Sequence, residues 1–104
     1  MNICFNYLYR DAGNYKHHGS VTFNNPNNRR LEEIDQRIRA ALIDGEFFDA
    51  RQWQLPDLRG DEWDEELDHD WHEFEAVGET EDVGSAHQSI DVFLDRILRK
   101  QRVV

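Results

Sequence analysis

Asn2–Arg10 reads NICFNYLYR and residues 15–24 read YKHHGSVTFN, with Asp11-Ala12-Gly13-Asn14 between them. The first run alternates. Ile3, Phe5, Tyr7 and Tyr9 fall on one face and Cys4, Asn6 and Leu8 on the other, the two-residue period of a half-buried strand. Its β-branched and aromatic side chains suit a pleated surface. Gly13 and Asn14 tolerate positive φ and supply turn chemistry. Val21 and Phe23 in the second run are spaced to return to the same core. A β-hairpin follows, and with it an antiparallel sheet.

Working outward, Asn24-Asn25-Pro26-Asn27-Asn28 is a connector, because proline and four asparagines do not continue a central strand. Residues 29–43 (RRLEEIDQRIRAALI) place Leu31, Ile34, Ile38, Ala41 and Leu42 at helical spacing, with charged residues opposite. Asp44-Gly45 ends that helix, glycine being suited to the left-handed position after the last turn. Residues 46–53 (EFFDARQW) read as a third strand and Gln54-Leu55-Pro56-Asp57 as its break. Residues 71–77 (WHEFEAV) read as a fourth strand, with His72, Phe74 and Ala76 on one side and Trp71, Glu73, Glu75 and Val77 on the other. Ser85-Ala86-His87-Gln88 has the pattern of a capping box and opens a last helix over residues 86–101. Ile90, Phe93, Leu94, Ile97 and Leu98 form its apolar stripe, and basic residues at its C-terminal end complement the helix dipole. The expected fold is α+β, in the order β-β-α-β-β-α. It is one small domain spanning residues 1–104, an antiparallel sheet with two amphipathic helices on one face.

Between strands three and four lies an acidic segment, residues 55–82 (LPDLRGDEWDEELDHDWHEFEAVGETED). It holds thirteen acidic residues and one arginine, a formal charge of −12, whereas the whole chain is −10. Acidic runs that stay disordered are poor in aromatics. Here Trp63, Leu67, Trp71, Phe74 and Val77 are spaced among the charges. The segment therefore reads either as a solvated loop and strand tethered by its tryptophans or as a recognition surface.

A chain of 104 residues makes one domain with one modest core. Mean hydropathy is low, −0.86, and 33% of residues are charged, but the 12% aromatic content supplies a core. The single cysteine, Cys4, excludes an internal disulfide and a thiolate zinc site and suits a reducing cytoplasm. Its place between Ile3 and Phe5 predicts a buried, inert thiol. No apolar run approaches the ~20 residues that span a bilayer, and no signal peptide is evident at Met1. The expected location is cytoplasmic. Few, unclustered basic residues argue against direct nucleic-acid binding.

Chemistry-bearing constellations are sparse. His69-Asp70-Trp71-His72-Glu73 would ligate a metal through His69 and His72 if helical, but in a strand those two face opposite sides, and surface histidines are the ordinary alternative. Asp64, Glu66, Asp68 and Asp70 alternate without the glycine of a calcium loop. His17 and His18 adjoin Tyr7, Tyr9 and Tyr15 across the hairpin, and only one of them can share that face. Ser20, Ser85 and Ser89 lack a nucleophile elbow, and no phosphate-binding glycine motif occurs. No enzyme and no cofactor are read from the chain.

LYRDAGNYK (8–16), LIDGEFFDA (42–50) and WDEELDHDWHEFE (63–75) together resemble a family of short bacterial proteins without an assigned function. The resemblance implies a cytoplasmic bacterial or mobile-element protein and no site residues. The leading functional expectation is an acidic protein-binding module, an inhibitor, immunity-type or regulatory protein, that meets a basic partner. In a special case it mimics nucleic-acid phosphate and its partner is a nucleic-acid-binding protein. Asp61, Glu62, Glu65, Glu66 and Asp68 would steer encounter, with Trp63 and Trp71 as desolvated anchors. The alternatives are a small metal-dependent enzyme or ligand-binding protein using His69, Asp70, His72 and Glu73, and a subunit that forms a homodimer through a sheet edge.

Overall fold

A computed structural model describes residues 1–59, 71–86 and 88–102. The fold is α+β, in the order β1 (Asn2–Arg10), β2 (Lys16–Phe23), α1 (Leu31–Ala41), β3 (Phe47–Phe48), β4 (His72–Thr80) and α2 (Ile90–Arg102). All strand pairs are antiparallel and the sheet order is β2-β1-β4-β3, so β1 is central although it comes first in sequence. β1 earns that place by its alternation: Ile3, Phe5, Tyr7 and Tyr9 are all at most 1% exposed. Phe5 is the hub. The rings of Tyr7, Phe23, Phe48, Trp53, Phe74 and Phe93 all lie within 5.3–6.5 Å of its own.

Both helices bury their apolar stripes against this inner face, α1 through Ile34 and Ile38 and α2 through Ile90, Phe93, Leu94 and Ile97. Each is shorter than its periodicity suggests. α1 ends at Ala41 with Leu42 extended. Asp44 (φ +53°) and Gly45 (φ +71°) form a tight turn into β3, closed by Glu46 N–H to Ile43 O at 3.1 Å. Positive φ at both central residues is the signature of the type I′ turn that suits hairpins. α2 starts at Ile90 rather than Ala86. Ser85 is engaged elsewhere: its Oγ accepts from Thr22 N–H at 3.0 Å. Ser89 is the cap, its Oγ accepting from Val92 N–H at 3.3 Å, the usual bond from the third helical residue to an N-cap hydroxyl.

Three further expectations are corrected. The third strand is two residues long, not eight. After Phe48, Asp49 Oδ1 accepts from Arg51 N–H (2.9 Å), and the chain closes with Gln54 N–H to Arg51 O (3.1 Å) and Leu55 N–H to Ala50 O (2.9 Å). With Gln54 at φ +56°, this is the hydrogen-bond pattern of a Schellman closure. It turns Trp53 inward to stack on Phe48, centroids 4.5 Å apart. The fourth strand does not keep one phase. Its register against β1 shifts between Asn6, opposite Ala76, and Tyr7, opposite Phe74. Glu75 is the extra residue of a bulge, so Val77 joins Phe74 against the core and Ala76 is exposed. Cys4, finally, is half-buried, on the face that no helix covers, its Sγ donating to Asn6 Oδ1 at 3.6 Å.

That outer face is polar but not featureless. Leu8 is only 6% exposed there. On β4, Glu73 pairs with Arg10 (3.0 Å), and Glu75 reaches past β1 to His18 Nδ1 on β2 (2.9 Å). These pairs roof the leucine, and the bulge supplies Glu75 in the required position.

Phe5→Ala removes the ring shared by both layers. It should lower stability by about 3–5 kcal/mol, read as a reduced urea midpoint with unchanged steepness.

Candidate functional site

The helices do not reach all of the inner face. Phe93 of α2 stacks on Phe23 (4.5 Å) and meets Phe5 (5.5 Å), whereas Tyr7 and Tyr9 meet Phe48 and His72 instead. At Tyr7 the sheet is met by a strap formed by residues 53–59. Trp53 and Leu55 are buried, and Leu58 packs over Gly19. A Cβ on Gly19 would stand 2.6 Å from Leu58 Cδ2, so the glycine there serves close approach, not a turn.

Two hydrogen bonds fasten the strap. Tyr7 Oη donates to Pro56 O at 2.6 Å. Leu58 N–H donates to His72 Nε2 at 3.0 Å. A nitrogen that accepts carries no proton, so this bond specifies a neutral His72 with its proton on Nδ1. His72 is 1% exposed, where burial also favours the neutral ring. Asp57 lies beside it, Oδ1 3.5 Å from Nε2. Burial works against the Asp57 charge, but hydrogen bonds from the Arg59 side chain and amide, with the Arg59 charge, outweigh it and hold the carboxyl below its usual range. The Tyr7 phenol is pushed up to about 12, chiefly by burial and secondly by the nearby Asp57 charge.

His72 is therefore not a surface histidine. Of the four residues of the metal reading, two are described: His72 Nε2 is taken by an amide, and Glu73 points to the opposite face, paired with Arg10. His69 and Asp70 lie outside the described residues, as do Asp61, Glu62, Trp63, Glu65, Glu66 and Asp68 and the expected calcium-like alternation. Trp71 is described, 42% exposed at the foot of β4. His17 and His18 separate to opposite faces as expected. His17 pairs with Asp11 (3.1 Å) beside Tyr9, and Tyr15 stands away at 73% exposed.

The Leu58–His72 bond brings together the two ends of the most acidic stretch. Residues 60–70 carry seven acidic side chains and no lysine or arginine, and chain connectivity ties them to one fastened base. The acids just outside that stretch have partners, Asp57 with Arg59 and Glu73 with Arg10. The base was partly legible: His72 is in phase with Phe74, and a glycine opposite Tyr7 in an aromatic-rich strand implies something seated over it.

Among the described residues no helix is long and apolar enough to cross a membrane, and no group of three potential metal ligands occurs. Compared with protein-family models, with curated proteins and with solved structures, the chain matches none.

Because the unfolded phenol ionises near 10 and the buried one near 12, stability from Tyr7 is complete below about pH 10 and is lost as pH rises towards about 12. Tyr7→Phe should cost about 1 kcal/mol at neutral pH through the lost bond to Pro56. It should also abolish this alkaline decline, measured as the wild-type minus variant difference in urea unfolding across that range.

Proposed function

We propose that the chain is an acidic protein-binding module, an inhibitor, immunity-type or regulatory protein, that presents residues 57–82 to a basic surface of a partner. The observation that carries this reading is the fastened base. The seven acids of residues 60–70 lie in sequence between Leu58 and His72, which are bonded to each other, and the exposed Trp71 directly follows them. Such concentration has a cost in self-repulsion, which a basic partner relieves. Charges of this kind raise association rates, and aromatic side chains beside them supply the area that desolvates on docking. A partner whose own ligand is nucleic-acid phosphate is the special case that fits best, because carboxylates in a row offer the same charge to its lysines and arginines.

The test is capture of partners from a bacterial lysate by the tagged chain, washed at low and then high salt, followed by binding kinetics on the partner retained. Changing Asp61, Glu62, Glu65, Glu66 and Asp68 to their amides should slow association by about ten- to a hundredfold at low salt and flatten its salt dependence. Trp71→Ala should instead raise the dissociation rate. An unchanged affinity for the amide variant would sink the reading.

A further inference from the structure

A second surface, on other elements, has the opposite electrostatic character. β2 is an edge strand, and its outward backbone groups are only half covered. At one end the chain covers itself: Ser85 and Ala86 N–H both donate to Thr22 O (2.9 and 3.1 Å), and Ile90 N–H donates to Asn24 O (2.9 Å). In an antiparallel pair alternate residues turn N–H and C=O outward, so the next outward-facing residues are Ser20 and His18. Among the described residues their outward N–H and C=O groups have no partner. Beside this cover, and reaching Ser20, a cleft of about 960 Å³ opens between the edge, residues 85–89, the strap and α2. Its walls are apolar at Val21, Phe23, Leu55 and Val92. Among the described residues that line it there is no carboxylate and one cation, Arg96. In a chain with 22 acidic residues and a charge of −10, β2 (KHHGSVTF) has none and begins with an exposed lysine.

We propose that this edge and cleft bind an extended peptide segment of another protein, added as a strand outside β2, with one apolar side chain in the cleft and a carboxylate on Arg96. Each part of the occupant follows from a part of the site. Backbone groups spaced two residues apart on a strand edge are matched by another strand, whose alternate side chains turn to one face. Those on the inner face enter the space between the strap and α2, where the walls are apolar. Arg96 spends one donor on Gln88 Oε1, and a guanidinium has five. A carboxylate is the ligand for the rest, and the acids elsewhere on the surface repel it from other sites. The chain itself demonstrates the same chemistry one pair along, where residues 85–86 lie on the edge at Thr22.

The experiment selects random nonapeptides displayed on phage against the full chain at about 0.15 M salt, where exposed charge is screened beyond about 8 Å. Ser20→Pro is the counter-selecting variant. It removes an N–H that β1 does not use, and proline is tolerated on an edge in that orientation. Circular dichroism and an unchanged thermal midpoint confirm its fold. Arg96→Glu is a second variant at the cleft wall, independent of the strand backbone.

Selected peptides are expected to alternate apolar and polar residues and to contain Asp or Glu. They should bind Ser20→Pro about tenfold more weakly, the equivalent of one or two lost hydrogen bonds. N-methylation of alternate peptide amides should weaken them similarly, and Arg96→Glu should shift the selected charge to Lys or Arg. The proposal is overturned if no peptide distinguishes wild type from Ser20→Pro, or if the selected peptides are basic. It is also overturned if sedimentation shows a dimer that Ser20→Pro dissociates, which would assign the edge to a second copy. None of these readouts involves residues 60–70, so failure here leaves the acidic-surface reading standing, and the reverse.

Discussion

The inner face of β1 is longer than two helices cover, and most of what is unusual here follows from that mismatch. Ile3, Phe5, Tyr7 and Tyr9 form one buried row. Phe93 of α2 meets Phe5, whereas the rings of Tyr7 and Tyr9 meet Phe48 and His72 and present large apolar faces of their own. The chain covers them with an irregular strap, and irregular backbone over a core has amides and carbonyls to satisfy. Pro56 brings no N–H and its carbonyl takes the Tyr7 hydroxyl, while the Leu58 amide takes His72. The Tyr7 hydroxyl and Nε2 of the buried His72 thus answer two polar groups of the strap. A phenylalanine at either position would fill the space and leave a backbone group unpaired, at a cost of about 1 kcal/mol.

The same device explains which parts of the molecule were legible in the sequence. β1, β2 and both helices announce themselves because a single period runs through each, and the order β-β-α-β-β-α follows. What failed to show was fixed by partners far along the chain. Trp53 in EFFDARQW looks like the end of a strand, yet Asp49 and Gln54 close the backbone and deliver the indole to Phe48. β4 looks like one uninterrupted alternation, yet β1 imposes a bulge at Glu75. The bulge is required twice over, since it sets Val77 against the core and lets Glu75 meet His18 across Leu8. In the candidate site, the phase shared by His72 and Phe74 was readable as burial. Its partner was not, because the amide of a leucine fourteen residues away carries no mark in the sequence.

The strap also leads from the cleft to the start of the acidic stretch in sequence. On one side of it, Arg59 leads into the acidic stretch, with Asp57 kept ionised by that arginine. On the other, Leu55 and Pro56 line the cleft beside β2, which carries no acidic residue of its own. A chain with a large net charge has few places where a ligand of the same sign can approach, and placing the cations Lys16 and Arg96 around an open strand edge makes one.

An edge left open in a small domain is an invitation to self-association, and proteins usually blunt such edges. Here the other edge strand, β3, is two residues long and pairs with only His72 and Glu73 of β4. β2 is blunted only as far as Thr22, by residues 85–86, and then left bare beside an apolar cleft. Covering its remaining length would have required residues 82–85 to run along the strand. Instead the chain crosses away from it: Asn2 Nδ2 donates to the Asp82 carbonyl at 2.8 Å, holding that segment at the far end of β1. A net charge of −10 sets copies of the chain against one another by long-range repulsion, which disfavours pairing of the bare edge with its own kind. Electrostatics at a distance and hydrogen-bonding geometry at contact select the occupant together.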